Sequence, residues 1–181
     1  MVAFHPPFLN PITLECIMQT SAQFAGFAAL LASGIMAGFF WTYSFTVMWG
    51  LDRADPRSAI DSMHGINLAV PNPIFLLFFM GLPLLLIAAA VLFWQSGQNA
   101  SLWLFAASAL VYLVGGIGIT GAINIPLNDG LARVAVPTDI AAARDIWTTY
   151  TNAWMPWTHL RTAASALAFA LAGLGVFFSA T

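Results

Sequence analysis

The segment 73-PIFLLFFMGLPLLLIAAAVLFW-94 contains no Asp, Glu, Lys or Arg, and it decides the fold class. The hydrocarbon core of a bilayer is about 30 Å thick, and an α-helix needs about 20 apolar residues to cross it. The segment is therefore long enough to span a membrane. Three more uncharged runs of similar length lie at 24–51, 101–123 and 162–180.

These runs predict helices rather than strands. Peptide groups in hydrocarbon must be hydrogen-bonded within a helix or a closed barrel, and the runs lack the alternation of polar and apolar residues typical of barrel strands. We therefore predict an all-α fold, an integral membrane four-helix bundle with two short interfacial helices in the charged loops. Residues 1–181 are expected to form a single transmembrane domain with spans at approximately 24–51, 73–94, 101–123 and 160–180.

Composition excludes a water-soluble domain. The chain is 60% hydrophobic and 7% charged, whereas soluble domains are about 45–50% apolar and about 25% charged. The expected surrounding is the lipid bilayer. A net charge of −2 gives no indication of a nucleic-acid partner.

The charged residues lie in two stretches. All five arginines and six of the seven acidic residues fall within 52–72 and 124–161, and the chain has no lysine. Basic residues in short loops are retained on the cytoplasmic side. We therefore expect loops 52–72 and 124–160 to be cytoplasmic and both termini to be periplasmic, in a bacterial inner membrane.

Prolines and caps predict the segments outside the spans. Residues 1–20 are interrupted by prolines, so we expect an arm or interfacial segment there rather than a span. A short helix that opens with a proline is expected at 56–68. The turn Asn124–Asn128 is expected to end the third span, and a second short helix, capped by Thr138, is expected to end near residue 153.

Small residues recur on the first and fourth helices. Gly34 and Gly38 are four residues apart, as are Ala164, Ala168 and Ala172. Such faces let other helices approach closely. They are compatible with packing inside the bundle and also with other membrane subunits, bound through helices 1 and 4 and the N-terminal arm.

Polar side chains on the charged side are the candidate functional residues. Because polar groups near hydrocarbon are costly unless paired, their concentration there predicts a polar pocket between the helix ends. Asn72 and Asn128 have an alternative role in satisfying backbone groups at helix ends, and Arg161 can instead snorkel to the interface or pair with Asp145. The candidates are His64, Asn67, Asn72, Asn124, Asn128, Tyr150, Trp154, His159 and Arg161.

Cofactor chemistry has little support in the sequence. Two histidines could be axial haem ligands, yet no HxxxH, CxxCH or paired-carboxylate spacing is present. Phosphate-binding loops and a serine nucleophile elbow are also absent. We expect no cofactor and no bound metal.

Four segments resemble the anthrone oxygenase-like family of small integral membrane proteins. They are Ala37–Ser44, Met63–Asn67 with Asn72–Phe75, Asn124–Asn128 and Trp154–Thr162, in the family's order. The resemblance implies a cofactor-independent oxygenase that converts aromatic anthrones to anthraquinones. The positions that match the family's motifs are Asn67, Asn72, Asn124, Asn128, Trp154, His159 and Arg161. Two positions depart from the pattern: His64 stands where Gln is expected, and Thr158 where Asn is usual.

Two functions from different classes follow. In the enzyme hypothesis, His159 or His64 is the general base acting on a lipophilic phenolic or anthrone substrate. Arg161 and the Asn amides then stabilise the enolate oxygen. In the alternative, the chain is a non-catalytic accessory or structural subunit of a larger membrane complex, respiratory or photosynthetic.

Overall fold

The computed structural model describes residues 10–179, which form helices and turns with no strand, so the predicted all-α class is confirmed. Two π-helical stretches join neighbouring helices without a break: Tyr43–Val47 links α1 to α2, and Leu113–Gly118 with Thr120–Asn124 links α5 to α6. The α-helices are α1 (Pro11–Thr42), α2 (Met48–Asp52), α3 (Pro56–Ala69), α4 (Pro73–Gln95), α5 (Asn99–Tyr112), α6 (Ile125–Ala132) and α7 (Ile140–Ser179).

Four continuous helices are long and apolar enough to cross a membrane, so the chain is an integral membrane protein. We call them spans 1 to 4: Ile12–Asp52, Pro73–Gln95, Asn99–Ala132 and Ile140–Ser179. Spans 1 and 3 each pack against spans 2 and 4, which makes a four-helix bundle. Its core is aromatic and aliphatic.

Span 1 begins earlier than predicted. Residues 11–20 are helical and continuous with the span, so the expectation of a non-spanning arm is wrong there; residues 1–9 lie outside the described part of the chain. Proline at the first helical position does not interrupt a helix, because its missing N–H would have no helical partner. The side chain of Asn10 caps this end by accepting a hydrogen bond from the N–H of Ile12 at 3.3 Å.

Span 3 ends later than predicted. The turn Asn124–Asn128 does not terminate it, since α6 continues to Ala132. Pro126 lies in the first turn of α6, directly after a π-helical turn. Because α6 continues span 3 without a break, Pro126 removes one backbone hydrogen bond there, next to a π-helical turn in which the bonding is already irregular.

The expected second interfacial helix is part of span 4. One helix of 40 residues, Ile140–Ser179, runs through Pro156, and Asp139 rather than Thr138 caps it, with Asp139 Oδ2 accepting from the N–H of Ala142 at 3.1 Å. Proline removes one helical hydrogen bond. Tertiary packing offsets that loss, because buried residues lie on both sides of Pro156.

The charged loops form a second core at one end of the bundle. Residues of α3, α6 and the first half of α7 pack together around Met63 and Trp147. The indole N–H of Trp147 donates to Asp52 Oδ1 at 2.8 Å, which ties α7 to the end of span 1. At the start of α3, Arg57 binds Asp55 and lowers the pKa of that carboxyl group to about 2. The segments between the spans are therefore ordered at this end of the bundle by their own apolar core and by the hydrogen bond from Trp147 to Asp52.

The small-residue faces pack inside the bundle. Ala168 and Ala172 of α7 are fully buried. A Cβ atom placed on Gly34 of α1 would lie 3.2 Å from the ring of Phe169, which belongs to α7. Gly115 of span 3 lies so close to Ala164 that an added Cβ would collide with the Cβ of that residue. Gly34 and the alanines of α7 therefore serve contacts within the chain, whereas Gly38 is exposed and an added Cβ there has no neighbour within 4 Å.

We predict that Gly115→Ala destabilises the bundle by about 1–3 kcal/mol, the usual cost of overpacking a close contact. The matched control is Gly81→Ala in α4, where an added Cβ has no neighbour within 4 Å. Thermal unfolding of both variants in detergent measures the difference. Equal melting temperatures for the two variants would contradict the close approach of spans 3 and 4.

Candidate functional site

A cavity of about 320 Å³ lies where the four spans meet α3 and α6. Its inner wall is aromatic and is built by Phe39 and Phe40 of α1 with Phe75 and Phe79 of α4. The rings of Phe75 and Phe79 stack with centroids 5.1 Å apart. The ring of Phe39 lies 5.0 Å from that of Phe75. The polar side chains of the wall come mainly from α3, span 3 and α7, where they lie beside apolar residues such as Met63 and Ile125.

Arg161 supplies the positive charge of this cavity. Its exposed fraction is only 6%, and no carboxylate of residues 10–179 pairs with it within 4.0 Å. Nη1 donates to Thr120 Oγ1 at 3.1 Å and Nη2 donates to Thr158 Oγ1 at 2.9 Å. The guanidinium carbon lies 4.9 Å from the ring centroid of Phe40 and 5.2 Å from that of Trp154. Such contacts stabilise the cation without neutralising it.

Four buried polar atoms of the cavity wall have no hydrogen-bond partner in the described residues. They are Asn67 Nδ2, Asn124 Oδ1, Trp154 Nε1 and Arg161 Nε. Three of these atoms are donors and one is an acceptor. Buried polar groups in folded proteins are nearly always paired, and residues 10–179 contain only two other such atoms. Their concentration here is typical of a binding site.

The two π-helical stretches present side chains to the cavity. Tyr43 begins the first stretch, while Thr120 and Asn124 begin and end a turn of the second. A π-helical turn inserts an extra residue into a helix, and such turns are frequent at functional sites. Asn124 is 1% exposed, and its Nδ2 donates to Thr158 Oγ1 at 3.5 Å. The turn is thus linked to Arg161 through Thr158.

Five of the predicted site residues line this cavity. Arg161 is buried within it, so neither snorkelling nor pairing with Asp145 describes its environment. Asn128 is also at the wall rather than only at a helix end. The five are Asn67, Asn124, Asn128, Trp154 and Arg161.

The two histidines do not line the cavity. His64 lies on α3 with Nε2 3.0 Å from the carbonyl oxygen of Leu131. His159 is exposed, and its ring stacks on Phe45 with centroids 5.5 Å apart. No three His, Cys, Asp or Glu side chains of residues 10–179 come together as metal ligands. The histidines are thus separated from the buried arginine.

Asn72 and Tyr150 contribute from outside the cavity wall. The side chain of Asn72 caps α4, because its Oδ1 accepts from the N–H of Phe75 at 3.0 Å. Asn72 therefore has the alternative role expected from the sequence, which is to satisfy a backbone group at a helix end. The hydroxyl of Tyr150 donates to Asn128 Oδ1 at 2.9 Å. Tyr150 therefore holds a residue of the wall rather than facing the cavity itself.

Several residues of the wall were missed by reasoning from sequence. Thr120 precedes Asn124 by four residues and Thr158 precedes Arg161 by three, spacings that place both pairs on one helix face. Tyr43 lies inside the family-like segment Ala37–Ser44. Those signals were available. No such signal marked the phenylalanines of the cavity wall, because nothing in an apolar run distinguishes a ring that faces a cavity from one that faces lipid.

A family model described as anthrone oxygenase matches residues 75–171, just over half of the chain. The chain belongs to the anthrone oxygenase family. The match includes Thr120, Asn124, Trp154 and Arg161, and hence most of the polar wall. No curated protein and no solved structure matches the chain.

We predict that Arg161→Met does not destabilise the protein, because a buried charge without a counter-ion loses solvation that an apolar side chain of similar length does not need. The control is Arg144→Met, since Arg144 is exposed on the same helix. Thermal unfolding in detergent is the measurement. A fall in melting temperature as large as that of Gly115→Ala would make Arg161 a structural residue.

Proposed function

We propose that this chain is a cofactor-independent oxygenase that oxidises the methylene group of a lipophilic anthrone-type aromatic. The observation that carries the proposal is Arg161, which is buried at the cavity wall with no carboxylate of residues 10–179 within 4.0 Å. Membership of the anthrone oxygenase family supports it. The balanced reaction consumes one O₂, converts CH₂ to C=O and releases one water.

The cavity suits a flat aromatic ligand. Its volume of about 320 Å³ is at the lower end of the range of about 300–1,000 Å³ that is usual for small-molecule sites. Phe39, Phe75 and Phe79 offer ring faces and edges against which an aromatic ligand can pack. The donors of the opposite wall would then meet its oxygen.

Arg161 would stabilise the enolate that forms when the methylene loses a proton. A preorganised cation in a site that excludes water is effective at stabilising developing negative charge. Thr120 and Thr158 hold the guanidinium in place, while Nε retains an unused N–H. Asn67 and Trp154 add further N–H donors.

We assign the general base to Asp129. It is the only carboxylate among the described residues of the wall, and it lies exposed at the mouth. In this mechanism, Asp129 accepts the methylene proton, and the carbanion transfers one electron to O₂. The resulting radical and superoxide combine to a peroxide anion, which takes a proton. Loss of water from the hydroperoxide leaves the ketone.

We predict that Arg161→Met lowers kcat for the oxygenation of 9-anthrone by about 100-fold or more, as expected for loss of an oxyanion-stabilising group.

Asp129→Asn should lower kcat for the same reaction by about 100-fold or more, as expected for loss of a general base. Oxygen uptake and anthraquinone formation by protein in lipid nanodiscs measure both, with Arg144→Met as the control.

The predicted role of the histidines is tested in the same assay. If His64→Gln or His159→Gln abolishes turnover while Asp129→Asn retains it, the base is a histidine and our assignment is wrong. If the wild-type protein in nanodiscs consumes no oxygen with 9-anthrone, the proposed reaction is wrong.

We also propose that the protein lies in a bacterial inner membrane with α3 and α6 on the cytoplasmic side. The arginines of the charged loops support this orientation. In a Cys16→Ser background, a membrane-impermeant maleimide added to intact cells should label Asn99→Cys, at the exposed start of span 3. It should label Ser62→Cys on α3 only after lysis, and the reverse pattern would invert the orientation.

A further inference from the structure

The cavity wall is interrupted between the first turns of α4 and the end of span 3. α4 packs along α1 and α5, whereas α6 packs against α3 and α7. The start of α4 therefore has no extensive helical neighbour on the side of α6. Leu76 of α4 and Ile125 of α6 both line the cavity, yet they are 42% and 49% exposed.

The course of span 3 explains this interruption. Its helix passes through the second π-helical stretch, Leu113–Gly118 with Thr120–Asn124, and then reaches Pro126. Inserted residues and prolines are the usual causes of bends in long helices. Beyond them, the chain packs on α7 and α3 instead of following α4. The opening is therefore built into the backbone of span 3.

The opening faces lipid. α4 has 23 residues, or about 35 Å at 1.5 Å per residue, which only just exceeds the hydrocarbon core of about 30 Å. Leu76, in its first turn, is consequently near the edge of the acyl-chain region. Its neighbours Ile74 and Leu77 are 73% and 69% exposed and apolar, as lipid contact requires. The polar residues Asn128 and Asp129 lie on the α6 side of the cavity.

We propose that this opening is a lateral portal through which a flat, lipophilic aromatic enters the cavity directly from the bilayer, with Leu76 and Ile125 as its two sides. Only the oxidation of the substrate rests on the proposed function, and its entry through the portal does not. A ligand that partitions into lipid reaches the aromatic wall without crossing water. Its oxygen then meets the donors at the wall, Asn67, Trp154 and Arg161.

Narrowing the portal tests this proposal. The variant Leu76→Phe/Ile125→Phe places a larger side chain on each side, and Leu77→Phe is the matched control on the adjacent, lipid-facing position. The probe is 9,10-anthraquinone delivered in lipid nanodiscs. Its binding is followed by stopped-flow quenching of tryptophan fluorescence, since Trp154 forms part of the cavity wall.

In the double variant, the association and dissociation rate constants should both fall about tenfold, a change within the range seen among variants of one site, because a narrower passage raises the barrier in both directions. The control should keep the wild-type rates. Unchanged rates in the double variant, a change in the dissociation rate constant alone, or no saturable binding to the wild-type protein would each overturn the portal.

The outcomes separate the two proposals. Slowed entry of anthraquinone together with no oxygenation of 9-anthrone would support the portal and reject the oxygenase. Unchanged entry rates together with active oxygenation would reject the portal and support the oxygenase.

Discussion

The rest of the structure depends on how one positive charge is held inside an apolar bundle. Ionisable groups within membrane segments are costly and face the bundle interior, where other groups can stabilise them. Arg161 is stabilised by hydroxyl groups of Thr120 and Thr158 and by the rings of Phe40 and Trp154. These contacts come from spans 1, 3 and 4, and none of them neutralises the cation. The bundle thus keeps a charge that an anionic oxygen can use.

Irregular backbone is confined to the neighbourhood of this charge. In hydrocarbon, departures from the regular helix are tolerated where the backbone is buried in protein or lines a cavity. The π-helical stretches that begin at Tyr43 and end at Asn124 meet that condition, since both present side chains to the cavity. In span 3, the stretch is followed by Pro126 and by α6, which packs on α3 and α7. The charge and the cavity therefore lie where the backbone of spans 1 and 3 is irregular.

Reasoning from sequence was accurate where a single physical quantity decides the outcome and inaccurate where packing does. Four spans followed from hydrophobicity alone. Asn72 was a candidate site residue, and the structure gives it the alternative role of a helix cap. Helix ends were misjudged at Pro11, Pro126 and Pro156, because a proline shows only that one N–H is missing. Whether the helix stops depends on whether that N–H would have had a partner and on how strongly the flanking turns are packed. The positions of His64 and His159 relative to Arg161 depend on helix rotation, which short motifs do not specify.

By itself, the sequence determined the all-α membrane class, the side of the bundle that carries the polar residues, and the resemblance to the anthrone oxygenases. Each of these follows from composition and order along the chain. Only the tertiary structure decided which polar residues meet. Asn67 and Arg161 belong to helices far apart in sequence, and the packing of α3 against α7 brings both to one cavity. Packing also decided that no carboxylate of residues 10–179 lies within 4.0 Å of Arg161, because pairing depends on distance in space, and even Asp129, which lines the same cavity, is not that close.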